Sequence, residues 1–215
     1  MRYTVFGATG GTGKELVRQA LDAGHQVTAV VRDPARLPVR HERLDVVTAQ
    51  VTGPDTDLDA LRGAVEGRDA VFSALGPPDR KPTTVTSEGV RTILRAMEAT
   101  DARRFLAVSA APLGRPAEDE SLLTRRLVLP VIKRVFRQVY ADLAVMEEEI
   151  RGSATEWTVV RPPMLLDKPV TGEYRTSTGA NVRGAQKVAR ADLAHAMLAM
   201  TEDKATYKQA VCVAY

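Results

Sequence analysis

Apolar runs and helical periods alternate along the chain from its first residues. Arg2 to Gly7 predicts a buried strand, Gly11 to Ala23 a helix stopped by Gly24, and Gln26 to Val31 a valine-rich second strand. Leu44 to Ala49 predicts a third strand, Asp57 to Val65 a helix closed by Gly67, and Asp69 to Leu75 a fourth strand ending at Gly76-Pro77-Pro78. Thr83 to Thr100 carries Val90, Ile93, Leu94 and Met97 at helical spacing, and Arg104 to Ser109 follows as a fifth strand. Farther on, Ile132, Val135, Val139, Leu143, Met146 and Ile150 recur at steps of three and four. That stripe predicts one crossover helix of about five turns, with Pro130 near its start and Gly152 at its end. Glu156 to Arg161 predicts a sixth strand stopped by Pro162-Pro163. Beyond it the pattern weakens to a short strand over Val170 to Thr176, a short helix over Ala191 to Met200 and a closing edge strand over Gln209 to Ala214.

Alternation of this kind predicts a parallel sheet covered on both faces, because right-handed crossovers place helices on each side. The expected fold is therefore α/β and doubly wound, in one domain over residues 1–215 with a small substrate-side extension near its C-terminal end. Ligands of such sheets sit beyond the carboxyl ends of the strands, at the switch point. Gly7 to Gly13, Arg32, Leu75 to Pro78, Ser109 and Arg161 to Met164 should converge there.

Composition narrows the class. With 44% hydrophobic and 27% charged residues, and glycine and proline scattered, the chain is neither disordered, collagen-like nor a coiled coil. Its one cysteine, Cys212, allows no internal disulfide, and its three histidines show no ligand spacing, so no metal site is expected. The first strand starts at once, leaving no span for a signal peptide, and no apolar run approaches the ~20 residues that cross a bilayer. A reducing, cytoplasmic setting is the expectation. A net charge of +3 gives little support to nucleic acid as a partner or to a membrane surface. Only seven of the 30 basic residues are lysine, and the dominant arginine favours planar, bidentate contact with phosphate.

The loop Gly7-Ala8-Thr9-Gly10-Gly11-Thr12-Gly13 follows a predicted strand and opens a predicted helix. In that context its G-x-x-G-x-x-G spacing points to a dinucleotide diphosphate held by main-chain N–H groups and the helix N-terminus. NAD-preferring enzymes usually carry an acid at the end of the second strand for the ribose hydroxyl, whereas this chain has Arg32, followed by Arg36. Guanidinium groups there favour the 2'-phosphate of NADPH. The alternative leaves both arginines solvated and gives the ribose to Asp33. Gln50 and Val51, Leu75 and Gly76, Ser109, and Pro162 and Pro163 complete the expected cofactor-binding set with Gly7, Thr9, Gly10, Gly11, Thr12, Gly13, Arg32 and Arg36. Pro78, Ala110 and Met164 are the expected substrate-pocket residues.

The glycine loop together with Val31-Arg32-Asp33-Pro34-Ala35-Arg36-Leu37-Pro38 resembles the atypical short-chain dehydrogenase/reductase group, a Rossmann-fold family. Within it the chain is similar to biliverdin IXβ reductases, also called flavin reductases, and to their bacterial NAD(P)H-binding and NmrA-like relatives. Pro82-Thr83-Thr84-Val85-Thr86-Ser87-Glu88-Gly89, Val108-Ser109-Ala110, Arg161-Pro162-Pro163 and Pro169-Val170-Thr171-Gly172-Glu173-Tyr174 extend the likeness over nearly the whole chain. The resemblance implies NADPH-dependent reduction of FMN or another flavin, or of a tetrapyrrole or quinone, as a small aromatic acceptor. It also implies a Ser109 that borders the nicotinamide, with Thr12, Gly13, Arg32 and Arg36 on phosphate. Two positions depart from the family: Met164 stands where a histidine follows the proline pair, and Ala49-Gln50 where a Gly-Asp pair meets the adenine side.

Hydride transfer to a flavin needs proximity and orientation more than a strong acid. Ser109 is the catalytic candidate, through a hydrogen bond to acceptor or nicotinamide; the alternative makes it a small residue that leaves room. The Tyr-x3-Lys pair of ordinary short-chain dehydrogenases is absent, since Ala144 follows Tyr140, and Tyr140 reads as packing. Arg125, Arg126, Lys133, Arg134 and Arg137 form a basic cluster that reads as a solvated face, or else as an attractor of an anionic acceptor or a contact with an acidic membrane surface. Trp157 reads as core or rim, and His195 as a satisfied, partly buried side chain. Two further functions compete with the reductase: a non-catalytic NAD(P)-sensing regulator of NmrA-like type, and a sugar-nucleotide epimerase, disfavoured by the missing lysine. The sequence leaves the oligomeric state open.

Overall fold

The computed structural model describes residues 1–77, 83–118, 120–121, 126–127 and 129–215. Six strands, β1 (Arg2–Phe6), β2 (Gln26–Val31), β3 (Leu44–Thr48), β4 (Ala70–Ser73), β5 (Arg104–Val108) and β6 (Glu156–Arg161), lie parallel in the order β3-β2-β1-β4-β5-β6. The chain moves outward from β1 to β3, then crosses back to β4, so the switch point falls between β1 and β4. This is the doubly wound arrangement expected from the alternation. Beyond β6 the same sheet continues through β10 (Gln209–Ala214), parallel to β6, and β8 (Arg175–Thr178), antiparallel to β10. A separate parallel pair joins β7 (Met164–Leu166) to β9 (Lys187–Ala189).

Period-two alternation sends the side chains of the central strands into two cores. Tyr3 and Val5 of β1 face a core shared with α1 (Gly11–Asp22) and α6 (Arg190–Ala199), while Phe6 enters the other core. That second core holds α2 (Leu58–Val65), α3 (Val85–Glu98) and α5 (Arg137–Gly152) against the opposite face. Phe72 and Phe105 are fully buried on neighbouring strands, each removal from water contributing about 1.5–3 kcal/mol. Trp157 is core, 8% exposed. Among the described residues no helix is long and apolar enough to cross a membrane.

Four sequence expectations change. The single crossover helix is two: α4 (Leu129–Val135) and α5 are separated at Phe136, where φ is −105° and ψ 22°. Leu143, Met146 and Ile150 bury their part of the stripe, but Val135 is 57% exposed, because α4 runs on beyond the faces that α3 and the sheet cover. The strand expected over Val170 to Thr176 starts only at Arg175. The main-chain N–H groups of Thr171 and Gly172 donate instead to the Asp192 carboxylate, at 2.7 and 2.8 Å, which takes them out of any ladder. Gln209 to Ala214 is not an edge; β8 covers it, and Val211 to Ala214 are buried. His195 is exposed, although it is satisfied, with Nδ1 2.8 Å from the Tyr174 hydroxyl.

Candidate functional site

At the end of β1 the chain turns on Gly7 (φ +73°), whose carbonyl accepts the Gly10 N–H at 2.9 Å. The turn is so tight that no side chain fits at Gly7 or Gly13. A Cβ on Gly7 would stand 2.5 Å from the Ala74 oxygen, and one on Gly13 only 2.1 Å from the Gly7 oxygen. Gly10, the N-cap of α1, has no side chain to offer, and the first turn of α1 carries no acid. The amides at this helix end are thus left for an external acceptor, with the positive end of the helix dipole behind them. A turn packed this tightly on main chain, opening onto a helix end with no side-chain cap, fits a dinucleotide diphosphate. Gly7, Thr9, Gly10, Gly11, Thr12 and Gly13 all lie in it.

The adjoining end of β2 delivers Arg32 and Arg36, both exposed. Between them Asp33 caps a short 3-10 turn at Pro34–Arg36, its Oδ1 accepting the Ala35 N–H at 3.0 Å. The carboxylate weighed for the ribose therefore already serves the turn that aims Arg36. After β3, Gln50 is exposed and Val51 buried; after β4, Leu75 is half-buried and Gly76 exposed. Val51 and Leu75 share one support, since a Cβ on Gly89 of α3 would meet Leu75 Cδ1 at 2.7 Å and Val51 Cγ2 at 3.3 Å. Their side chains pack on α3.

The ends of β5 and β6 are tied together: Ser109 N–H donates to the Val160 carbonyl and Ala111 N–H to the Pro162 carbonyl, each at 2.8 Å. Beneath them lies a cluster that motif reading missed. Glu147, on α5, accepts Ser109 Oγ–H at 2.7 Å and Arg161 through Nε at 2.9 Å and Nη2 at 2.5 Å, with Arg151 Nη2 also at 2.5 Å. The glutamate side chain is 3% exposed and that of Arg161 10%. Burial alone would raise the Glu147 pKa, but hydrogen bonds from Arg161 and Ser109 and the charges of Arg161 and Arg151 outweigh it, holding it below the ordinary value. With Glu147 ionised, Ser109 spends its only proton inward and turns lone pairs alone toward the strand ends. The signal in the sequence was a glutamate one turn before Arg151 on the core-facing side of a helix, a position where a lone acid needs a buried cation.

A second missed carboxylate, Asp142, is 5% exposed and accepts the Thr86 and Ser87 N–H groups at 3.0 and 3.1 Å, and the Ser87 hydroxyl. It caps α3 from α5, a role Thr84 does not fill. Of the expected pocket residues, Ala110 is half-buried and Met164 is 61% exposed on β7; Pro78 lies outside the described residues. Pro162 is buried and Pro163 half-buried. Tyr140 packs beside Phe136, ring centroids 5.8 Å apart, and burial raises its pKa. Arg126, Lys133, Arg134 and Arg137 are exposed, as a solvated face requires; Arg125 lies outside the described residues.

The pattern of the NAD(P)H-binding family matches residues 7–204. The chain belongs to this family. A reductase of Streptomyces griseus, acting by its name on (4-alkanoyl-5-oxo-2,5-dihydrofuran-3-yl)methyl phosphate, is 30% identical over 78% of the chain and 49% of its own length. The chain spans about half or less of the first curated relatives it matches. Among solved structures, a short-chain dehydrogenase/reductase of Veillonella parvula in complex with NADP superposes with a TM-score of 0.80 at 18% identity, covering 100% of this chain and 94% of that one. A protein of Streptococcus pneumoniae provisionally named an NADH-flavin reductase gives 0.79 at 21% identity, covering 100% and 99%. These likenesses establish the Rossmann-like fold. In this NAD(P)H-binding protein the groove of about 790 Å³ beside Arg91, Glu149 and Thr155 is remote from the site. It opens between α3 and α5 where β5 and β6 begin, at the opposite end from the glycine loop.

Proposed function

We propose that this NAD(P)H-binding protein is a reductase that uses NADPH to deliver hydride to a flavin such as FMN or a similar aromatic acceptor, a tetrapyrrole or quinone included. One observation carries the reading: a tight glycine turn at the end of β1, whose helix end has no side-chain cap, stands next to two exposed guanidinium groups at the end of β2. When bound, the dihydronicotinamide supplies the hydride. Gly7, Gly10 and Gly13 let the turn close so that main-chain N–H groups can reach the diphosphate, and Arg32 and Arg36 select the 2'-phosphate. Ser109 holds an amide or imide N–H by accepting from it, because its own proton goes to Glu147. It is an orienting acceptor, and the proton that balances hydride addition comes from solvent. The names of the reductase relatives support this reaction class, and the NADP-bound Veillonella structure supports the cofactor.

A second reading, a non-catalytic NAD(P) sensor of NmrA-like type, draws on the same serine. A Ser109 committed to Glu147, with Ala144 in the lysine position, brings no side-chain acid to the end of β5. Mixing the protein with NADPH and FMN, riboflavin, biliverdin or a quinone separates the two. Rapid loss of reduced-nicotinamide absorbance with any acceptor supports the reductase; tight NADPH binding without turnover across the panel supports the sensor. The reaction is placed in the cytoplasm.

A further inference from the structure

Gly11 is the one glycine of the loop that its turn does not explain. It is the first residue of α1, where a side chain would ordinarily project freely. Here Arg190, the first residue of α6, fills that space: a Cβ on Gly11 would stand 2.5 Å from Arg190 Cδ, 2.8 Å from Nε and 3.6 Å from Cζ. The placement is built, since Gln19 of α1 donates from Nε2 to the Ala191 carbonyl at 2.9 Å and fixes the start of α6 beside α1. A guanidinium at this point lies against the positive end of the α1 dipole, the unfavourable end for a cation. Asp167, just after β7, supplies the offsetting charge through Oδ1, 2.7 Å from Arg190 Nη1, but its side chain is 88% exposed. So exposed an ion pair contributes little to stability. Among the described residues, the helix end, the loop amides and Arg190 together are a positive site closed only by a solvated carboxylate.

We infer that Arg190 is a diphosphate-binding residue, and that Asp167 competes with the dinucleotide for it. The inference rests on the cofactor reading above and adds to it a contact from the far end of the chain. Entry of the diphosphate would exchange one carboxylate for phosphate oxygens, which the planar guanidinium can hold in bidentate fashion. The gain is the greater because the incoming anion also meets the helix amides, which Asp167 does not.

The test is binding measured by calorimetry, without turnover. Arg190→Ala should weaken NADPH and 2'-phospho-ADP-ribose by roughly 10- to 100-fold, the effect of losing a charged hydrogen bond. Adenosine 2'-monophosphate, which lacks the diphosphate, should bind wild type and variant alike, a pattern that general misfolding would not give. Asp167→Asn should tighten NADPH by up to about fivefold, through loss of the competing anion. Undiminished NADPH affinity in Arg190→Ala, or an affinity unchanged or weakened in Asp167→Asn, overturns the inference. Failure of the wild-type protein to bind either NADPH or NADH would instead overturn the cofactor reading itself.

Discussion

The two halves of the candidate site are built from different materials. On the β1 side seven consecutive residues make the cradle, and main chain does the work: Gly13 lies so close to the Gly7 oxygen that nothing larger is admitted. On the β5 side the site needs Ser109, Glu147 and Arg161, brought from a strand end, a helix and another strand end to meet around a buried ion pair. The glycine turn is damaged by adding atoms, the buried cluster by removing them. A backbone site is rigid and generic, as suits a cofactor shared by many proteins. A side-chain site can be retuned, which would suit the proposed role of this side in holding an acceptor.

The largest expected effect tests the side-chain half. Glu147→Ala strands the Arg161 guanidinium in the core and should cost about 3–5 kcal/mol, read as a fall in denaturation midpoint. The pH dependence has the same origin. Because the folded-state pKa of Glu147 is depressed, its contribution is complete above about pH 5 and is lost as pH falls through the folded value, so acid unfolding should begin there. In Glu147→Gln that acid-side loss should flatten; a profile that matches wild type would remove Glu147 as its source.

Gly13→Ala tests the backbone half. It should weaken NADPH by at least about 100-fold and cost about 1–3 kcal/mol of stability through overpacking. Equal affinity by calorimetry would mean that the cradle is not the diphosphate site. A smaller change is expected from Arg32→Asp, which should weaken NADPH about 10- to 100-fold and NADH far less. Equal losses for both nucleotides would end the preference for NADP. The smallest is Ser109→Ala, with turnover lowered by about tenfold and cofactor affinity unaltered if the hydroxyl orients the acceptor. Unchanged steady-state kinetics would leave Ser109 a spacer, and the two halves would then share no chemistry.

Much of the fold was legible because it follows from local periodicity. The six parallel strands and the helices after β1, β3 and β4 were placed within a few residues, since each apolar run or stripe had a whole face to bury. Errors gathered after β6, where partners are chosen over long range. Gln209 to Ala214 has the composition of an edge or a centre equally, and only the arrival of β8 decides between them. The helical stripe from Ile132 to Ile150 is periodic throughout, yet periodicity does not say where the core ends, and Val135 lies past that point.

By itself the sequence determined the parallel sheet, its switch point and the glycine cradle, because strand alternation and a tight turn are properties of neighbouring residues. Tertiary structure alone decided that Glu147 holds the Ser109 proton and pairs with Arg161, and that Arg190 lies over Gly11. Those contacts join residues 14, 38 and 179 positions apart. Their partners are selected by burial and charge in the folded chain, and no spacing rule along the sequence encodes that choice.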